Sequence, residues 1–189
     1  SKLYEPDLRI ENLSTANDTV VLNRVLNQSE NAFDVEDAGT AFRFLLAYCS
    51  VTPGTFTIRG TERLQQRPIR GLVTILRDLG ANIRYLEKDG FAPLEITGGS
   101  LKSTQRQIDV SNVASSQFIS ALLMISPLIK GDFEFRLNPK MNSFTYLLLT
   151  ISAMRRLGFS IYINGSVIKV DKHRKFNGEF FKVEPDWSS

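Results

Sequence analysis

The sequence predicts an α/β fold built from repeated βαβαββ units, with helices buried at the centre and sheets outside, an inside-out, barrel-like arrangement. Three observations lead to it. A succession of helix, strand, helix and two strands occurs twice, marker residues of the two copies recur at a nearly constant offset, and the first helix of each copy is apolar on nearly every side. A helix without a polar face belongs inside a protein, so the strands must pack around it. The 189 residues then divide into a truncated repeat over 1–36, a repeat over 37–99, a repeat over 105–172 and a crossover over 180–189.

The opening segment supplies a strand over 8–12, a helix over 18–26 and a strand over 32–35, the tail of a repeat whose beginning is missing. The first full copy starts with the apolar helix, 39–50, followed by an alternating strand, 55–59, in which Phe56 and Ile58 share one face. A second helix follows, with Pro68 in its first turn, Ile69, Leu72, Val73, Leu76 and Leu79 at helical spacing, and Gly80 where a left-handed C-terminal cap belongs. Strands over 82–87 and 93–97 flank the turn Lys88-Asp89-Gly90. The second copy has a helix over 116–128, a strand over 132–137 that turns Phe133, Phe135 and Leu137 inward, and a helix over 143–157 stopped by Gly158. Strands over 160–163 and 167–170 flank Asn164-Gly165, a strong hairpin signal. Phe42 recurs as Phe118, Gly54 as Gly131 and Gly80 as Gly158.

Composition narrows the function classes. With 42% hydrophobic and 23% charged residues, the chain has enough apolar material for a core and is not disordered. Its longest apolar run, 118–129, is interrupted by Ser120, Ser126 and Pro127 and is too short to span a bilayer, so no membrane is expected as a partner. The first residues lack the apolar core of a signal peptide, and one cysteine, Cys49, allows no internal disulfide; both suit a cytoplasmic protein. A net charge of +3 is spread over separate segments without a basic stripe, so nucleic acid is not an expected partner either. His173 in a lysine-rich stretch and Cys49 in a buried helix receive no role.

The chemistry points to anions. Gly39-Thr40, Ser115-Ser116 and Ser143 stand at expected helix N-termini, where unpaired amides and the positive end of the dipole attract negative charge. If the copies pack around one axis, these helix starts meet on one face. Taken singly, each serine or threonine reads more readily as an ordinary cap and Arg67 as a solvated loop arginine, and Tyr146 reads also as core.

Four segments together go further. They are Asp37-Ala38-Gly39-Thr40-Ala41-Phe42-Arg43, the run from Gly60 through Arg67-Pro68-Ile69, Ser115-Ser116-Gln117-Phe118-Ile119-Ser120-Ala121-Leu122-Leu123-Met124, and Val183-Glu184-Pro185-Asp186-Trp187-Ser188-Ser189. In order and spacing this set resembles the 5-enolpyruvylshikimate-3-phosphate synthases, from about Ile10 to the end of the chain. The resemblance implies a transferase that moves the enolpyruvyl group of phosphoenolpyruvate to the 5-hydroxyl of shikimate 3-phosphate, without metal or organic cofactor, as a monomer. It implies that Ser115, Ser116 and Ser143 hold the phosphate of shikimate 3-phosphate, that Gln117 bridges the substrates and that Tyr146 lies against the shikimate ring. Gly39 and Thr40 then meet phosphoenolpyruvate, which Arg67 grips as a bidentate fork. Asp18, Asp186 and Gln117 are the supporting catalytic candidates, and Glu184 matches a further acid near the crossover.

Departures accompany the match. Asp37 stands where the family commonly has asparagine, Phe42 where it has methionine, and Phe144-Thr145 where it has a basic residue and proline. An acid at 37 would repel a bound phosphate unless it is turned away or paired. A family K-S-x-S-N-R segment and a whole second domain have no counterpart in this chain, so the isolated chain is expected to be inactive and its principal partner to be that second domain. Two alternatives remain at this point. One is the sister UDP-N-acetylglucosamine enolpyruvyl transferases, whose loop cysteine is absent from 61–67; the other is a noncatalytic anion-binding module of the same fold.

Overall fold

A computed structural model describes residues 3–4, 8–113, 115–138, 144–174 and 180–183. The order of elements is β1 (Arg9–Glu11), α1 (Asn17–Asn27), β2 (Ala32–Asp34), α2 (Gly39–Val51), β3 (Gly54–Arg59), α3 (Glu62–Gln65), α4 (Arg70–Asp78), β4 (Asn82–Tyr85) and β5 (Leu94–Gly98). It continues with β6 (Gln107–Asp109), α5 (Ser116–Ile125), a 3-10 turn (Ser126–Leu128), β7 (Glu134–Arg136), α6 (Phe144–Arg156), β8 (Phe159–Asn164), β9 (Val167–Arg174) and β10 (Phe180–Lys182).

Two four-stranded sheets, β2-β3-β5-β4 and β6-β7-β9-β8, share one topology. In each, the first pair is parallel and the other two are antiparallel. The helix between the parallel strands, α2 in one case and α5 in the other, serves as the crossover that such a pair requires. Because β2 pairs with β3, Ala32–Asp34 belongs with the repeat that follows it rather than with the opening segment. A third, two-stranded sheet joins β1 to β10 in parallel, pairing Arg9 with Phe180 and Glu11 with Lys182.

The helices divide as their sequences require. α2 buries Phe42, Leu45, Leu46, Cys49 and Ser50, and α5 buries eight residues, among them Phe118, Ile119, Leu122 and Leu123. These two helices pack on one another, with α1 against α2 and α6 against α5. Ser50 and Ser126 are tolerable inside because each hydroxyl donates to a carbonyl of its own chain segment, that of Leu46 or Leu123. α4, by contrast, is amphipathic and buries only Leu72, Val73, Ile75 and Leu76. Gly80 ends it at φ 98°, its amide donating to Arg77 and that of Ala81 to Leu76, a Schellman closure that a side-chain-bearing residue would strain.

Several boundaries differ from the sequence reading. The helix expected from Pro68 begins at Arg70, and a separate single turn, α3, precedes it. α5 gives way to the 3-10 turn after Ile125, where Pro127 removes an amide donor from the helical ladder. The strand expected over 132–137 is trimmed to Glu134–Arg136, though Phe133, Phe135 and Leu137 are all buried as anticipated. β6 and β10 are additional strands. Among the described residues no helix is long and apolar enough to cross a membrane.

Candidate anion site

Two helix starts and one arm converge at Gly39. Gly39 and Ala38 are fully or nearly fully buried, and α2 has no side-chain cap from its own N-cap residue, Ala38. The cap comes from another element. Asp18, in the first turn of α1, accepts hydrogen bonds from the amides of Thr40 at 2.7 Å and Ala41 at 3.2 Å. Two of the orphan amides of α2 are therefore already satisfied by an internal carboxylate, so this helix start offers fewer free donors than its sequence suggests.

What it offers instead is guanidinium. A methyl group added at Gly39 would lie 2.4 Å from Nη1 of Arg67 and 2.8 Å from Nη1 of Arg43. The two guanidiniums fill the space a Cβ would take, so any other residue at 39 would displace their tips. Arg43, one turn along α2, donates to the Gly39 carbonyl at 2.7 Å and lies over the Phe118 ring at 5.5 Å. Its buried Nε has no hydrogen-bond partner among the described residues. Burial, and then the charge of Arg67, depress the Arg43 pKa below its ordinary value, while Asp18 acts the other way. Two like charges held this close, with one donor unsatisfied, form a site that an anion would stabilise.

The start of α5 faces the start of α2. Gln117 Nε2 donates to Thr40 Oγ1 at 3.1 Å, bridging the two copies of the repeat. Ser115 is the N-cap of α5 and its Oγ accepts from the Gln117 amide at 3.3 Å, so its own hydroxyl proton remains available to a ligand. Ser116 is buried. Tyr146 lies in the first turn of α6 and is 69% exposed, not core. α6 is tied to α5 by a hydrogen bond from Thr150 Oγ1 to Ser120 Oγ at 2.8 Å. Asp37 is paired: its carboxylate accepts from the Thr61 hydroxyl.

The structure thus brings together Asp18, Gly39, Thr40, Arg67, Ser115, Ser116 and Gln117 at the starts of α2 and α5. Ser143, Glu184 and Asp186 lie outside the described residues. Arg43 was missed as a site residue by sequence reasoning, although its position four residues after Gly39, one helical turn on, was a usable signal.

The EPSP synthase (3-phosphoshikimate 1-carboxyvinyltransferase) family model matches residues 7–189. The chain belongs to the EPSP synthase family. It is 44% identical over 188 residues to a 3-phosphoshikimate 1-carboxyvinyltransferase of Bacteroides fragilis, an alignment covering 99% of this chain and 45% of that protein. To the enzyme of the same name from Shewanella halifaxensis it is 36% identical over 185 residues, 96% of this chain and 43% of the relative. The chain therefore spans less than half the length of these EPSP synthase relatives. Among solved structures, EPSP synthase from Acinetobacter baumannii superposes with a TM-score of 0.68 at 25% identity, covering 81% of this chain and 33% of that one.

Proposed function

We propose that this chain is the shikimate 3-phosphate-binding side of an EPSP synthase, one portion of a cytoplasmic transferase whose remaining ligands come from a second domain. In the complete reaction the 5-hydroxyl of shikimate 3-phosphate adds to C2 of phosphoenolpyruvate while the methylene carbon gains a proton. Phosphate then leaves as that carbon gives up a proton, which regenerates the enol ether. No metal or organic cofactor takes part in this scheme.

The observation that supports the reading most strongly is the convergence of Arg43 and Arg67 on Gly39 beside the facing starts of α2 and α5. In this reading Arg67, with Arg43 beneath it, binds phosphoenolpyruvate against Gly39 and Thr40. Ser115, Ser116 and Ser143 bind the phosphate of shikimate 3-phosphate, Gln117 lies between the two substrates and Tyr146 covers the ring. Asp18 acts by fixing the start of α2, and Asp186 belongs to the approach of the second domain. The divisions 1–36, 37–99, 105–172 and 180–189 become one domain of three related units, with the strand over 32–34 transferred to the second. Its chemistry here is preorganised charge and orientation.

The test is calorimetric titration of the chain with shikimate 3-phosphate, shikimate and a UDP-sugar. Shikimate 3-phosphate should bind at least about tenfold more tightly than shikimate, since charge-assisted hydrogen bonds to a phosphate contribute on the order of 1.5–3 kcal/mol. Equal affinities, or preference for the UDP-sugar, would sink the assignment.

A further inference from the structure

We propose that Asp37 and Thr61 form a positioning pair that fastens the Arg67 arm to the start of α2; the inference rests on the reading of Arg67 as a ligand of phosphoenolpyruvate. Arg67 is an exposed side chain on the segment after α3, so packing alone does not fix it over Gly39. Something must hold the arm. The arm has two footings: Leu64, fully buried, and Thr61, whose Oγ1 accepts from the Leu64 amide as the N-cap of α3. The Arg67 amide donates back to Leu64 at 2.9 Å, making 61–67 one compact turn.

Opposite it lies the loop that enters α2, and this loop is fixed independently. Glu36 adopts a left-handed conformation at φ 52°, unusual for a residue with a side chain and maintained only where surrounding contacts impose it. They do so here. The Glu36 amide donates to Asp34 Oδ1 at 3.0 Å, Arg24 pairs with the Glu36 carboxylate at 2.6 Å, and Arg24 also donates to the Asp34 carbonyl at 2.7 Å. Two backbone bonds hold the loop, the Val35 amide donating to Arg59 at the end of β3 at 2.9 Å and the Thr61 amide of the arm donating to Glu36 at 3.1 Å. Gly60 permits the approach, since a methyl there would fall 2.4 Å from the Glu36 carbonyl oxygen. The Thr61 hydroxyl then donates to Asp37, two residues before Gly39. Thr61 is thus bonded to the loop through both its backbone and its side chain, at the root of the segment carrying Arg67.

The pair also accounts for an acid beside an anion site. If Asp37 acted only through its charge, removing it would tighten anion binding; if it acts as a fastening, removing it weakens binding. The signs are opposite. Asparagine at 37 keeps an acceptor for the Thr61 hydroxyl while removing the charge, and serine at 61 keeps the donor.

The experiment titrates phosphoenolpyruvate into the chain and follows the Gly39 amide and the Arg67 Nε–H by NMR, with the heteronuclear NOE of Arg67 as a measure of its order. Asp37→Ala and Thr61→Val should each weaken binding about fivefold, the effect of losing one hydrogen bond, and lower the Arg67 NOE. The double variant should be no weaker than the worse single one. Asp37→Asn and Thr61→Ser should restore both readouts. Tighter binding by Asp37→Ala, or an unchanged Arg67 NOE in the alanine and valine variants, overturns the pair. Should the unsubstituted chain fail to bind phosphoenolpyruvate, the reading of Arg67 as a ligand falls, and the Arg67 NOE alone decides the pair. Asp37→Ala leaves the α3 cap intact, so the test survives if Thr61→Val does not fold.

Discussion

Asp18 is an acid in the first turn of a helix, a common position for one, yet its carboxylate serves a different helix, 22 residues further along the chain. Sequence presents it as a supporting catalytic candidate; the bonds to the amides of Thr40 and Ala41, which fix the start of α2, have no local signal. Arg43 was hidden for a related reason. Read alone it interrupts an apolar helix, and only the glycine beside it and the ring of Phe118 from the other repeat make a guanidinium tolerable there. Cys49, by comparison, was fully legible: flanked by apolar residues in α2, it is completely buried, and burial pushes its thiol pKa up. A thiol kept protonated and inaccessible is inert. Cys49 should therefore resist a thiol-specific reagent in the native chain and label completely in denaturant. Rapid native labelling would mean that α2 is not the enclosed helix described here.

At the scale of elements, the long periodic segments were readable and the short ones were not. α2, α5 and α6 carry enough apolar residues to declare themselves, and the Asn164-Gly165 turn marks the β8–β9 hairpin. β6 and β10 are three residues each, and β6 buries only Ile108; such strands exist because a partner strand is waiting, which no local pattern encodes. The fit between layers was equally hidden. Gly98, the last residue of β5, crosses the end of α2 so closely that a methyl group would lie 1.9 Å from the Cys49 carbonyl oxygen and 2.1 Å from that of Thr52. Backbone on both sides cannot step aside as a side chain can. Gly98→Ala should cost about 2–3 kcal/mol, the upper range for overpacking. Gly99→Ala, which meets nothing within 4 Å, should stay within about 0.5 kcal/mol. Urea denaturation of both variants measures the difference, and equal stabilities would show that the α2–β5 contact yields.

Over the whole molecule, the two complete repeats place their central helices side by side so that both starts open on one face, and the anion site belongs to that face rather than to either repeat. The groups gathered at Gly39 include two guanidiniums, hydroxyls and a carboxamide, and the nearby carboxylates are already bonded, Asp18 to two amides and Asp37 to the Thr61 hydroxyl. Guanidiniums hold anions well but are poor proton donors, because they keep their protons at neutral pH. The proposed reaction needs a proton delivered to a methylene carbon and another taken from a hydroxyl, tasks for groups with pKa values nearer neutrality. Arg67, beside Gly39, is also exposed, so the face is open to water, and phosphoenolpyruvate bound there keeps much of its hydration and orientational freedom. The chain by itself should accordingly bind ligand without releasing phosphate from the two substrates together. Adding the remaining portion of a full-length relative, such as the Bacteroides fragilis protein of which this chain matches 45%, should restore release. In the restored protein Arg67→Lys should raise the phosphoenolpyruvate KM far more than that for shikimate 3-phosphate, since lysine keeps the charge and loses the fork. Phosphate release by the chain alone would place the acid–base groups among its own residues and refute this division of labour.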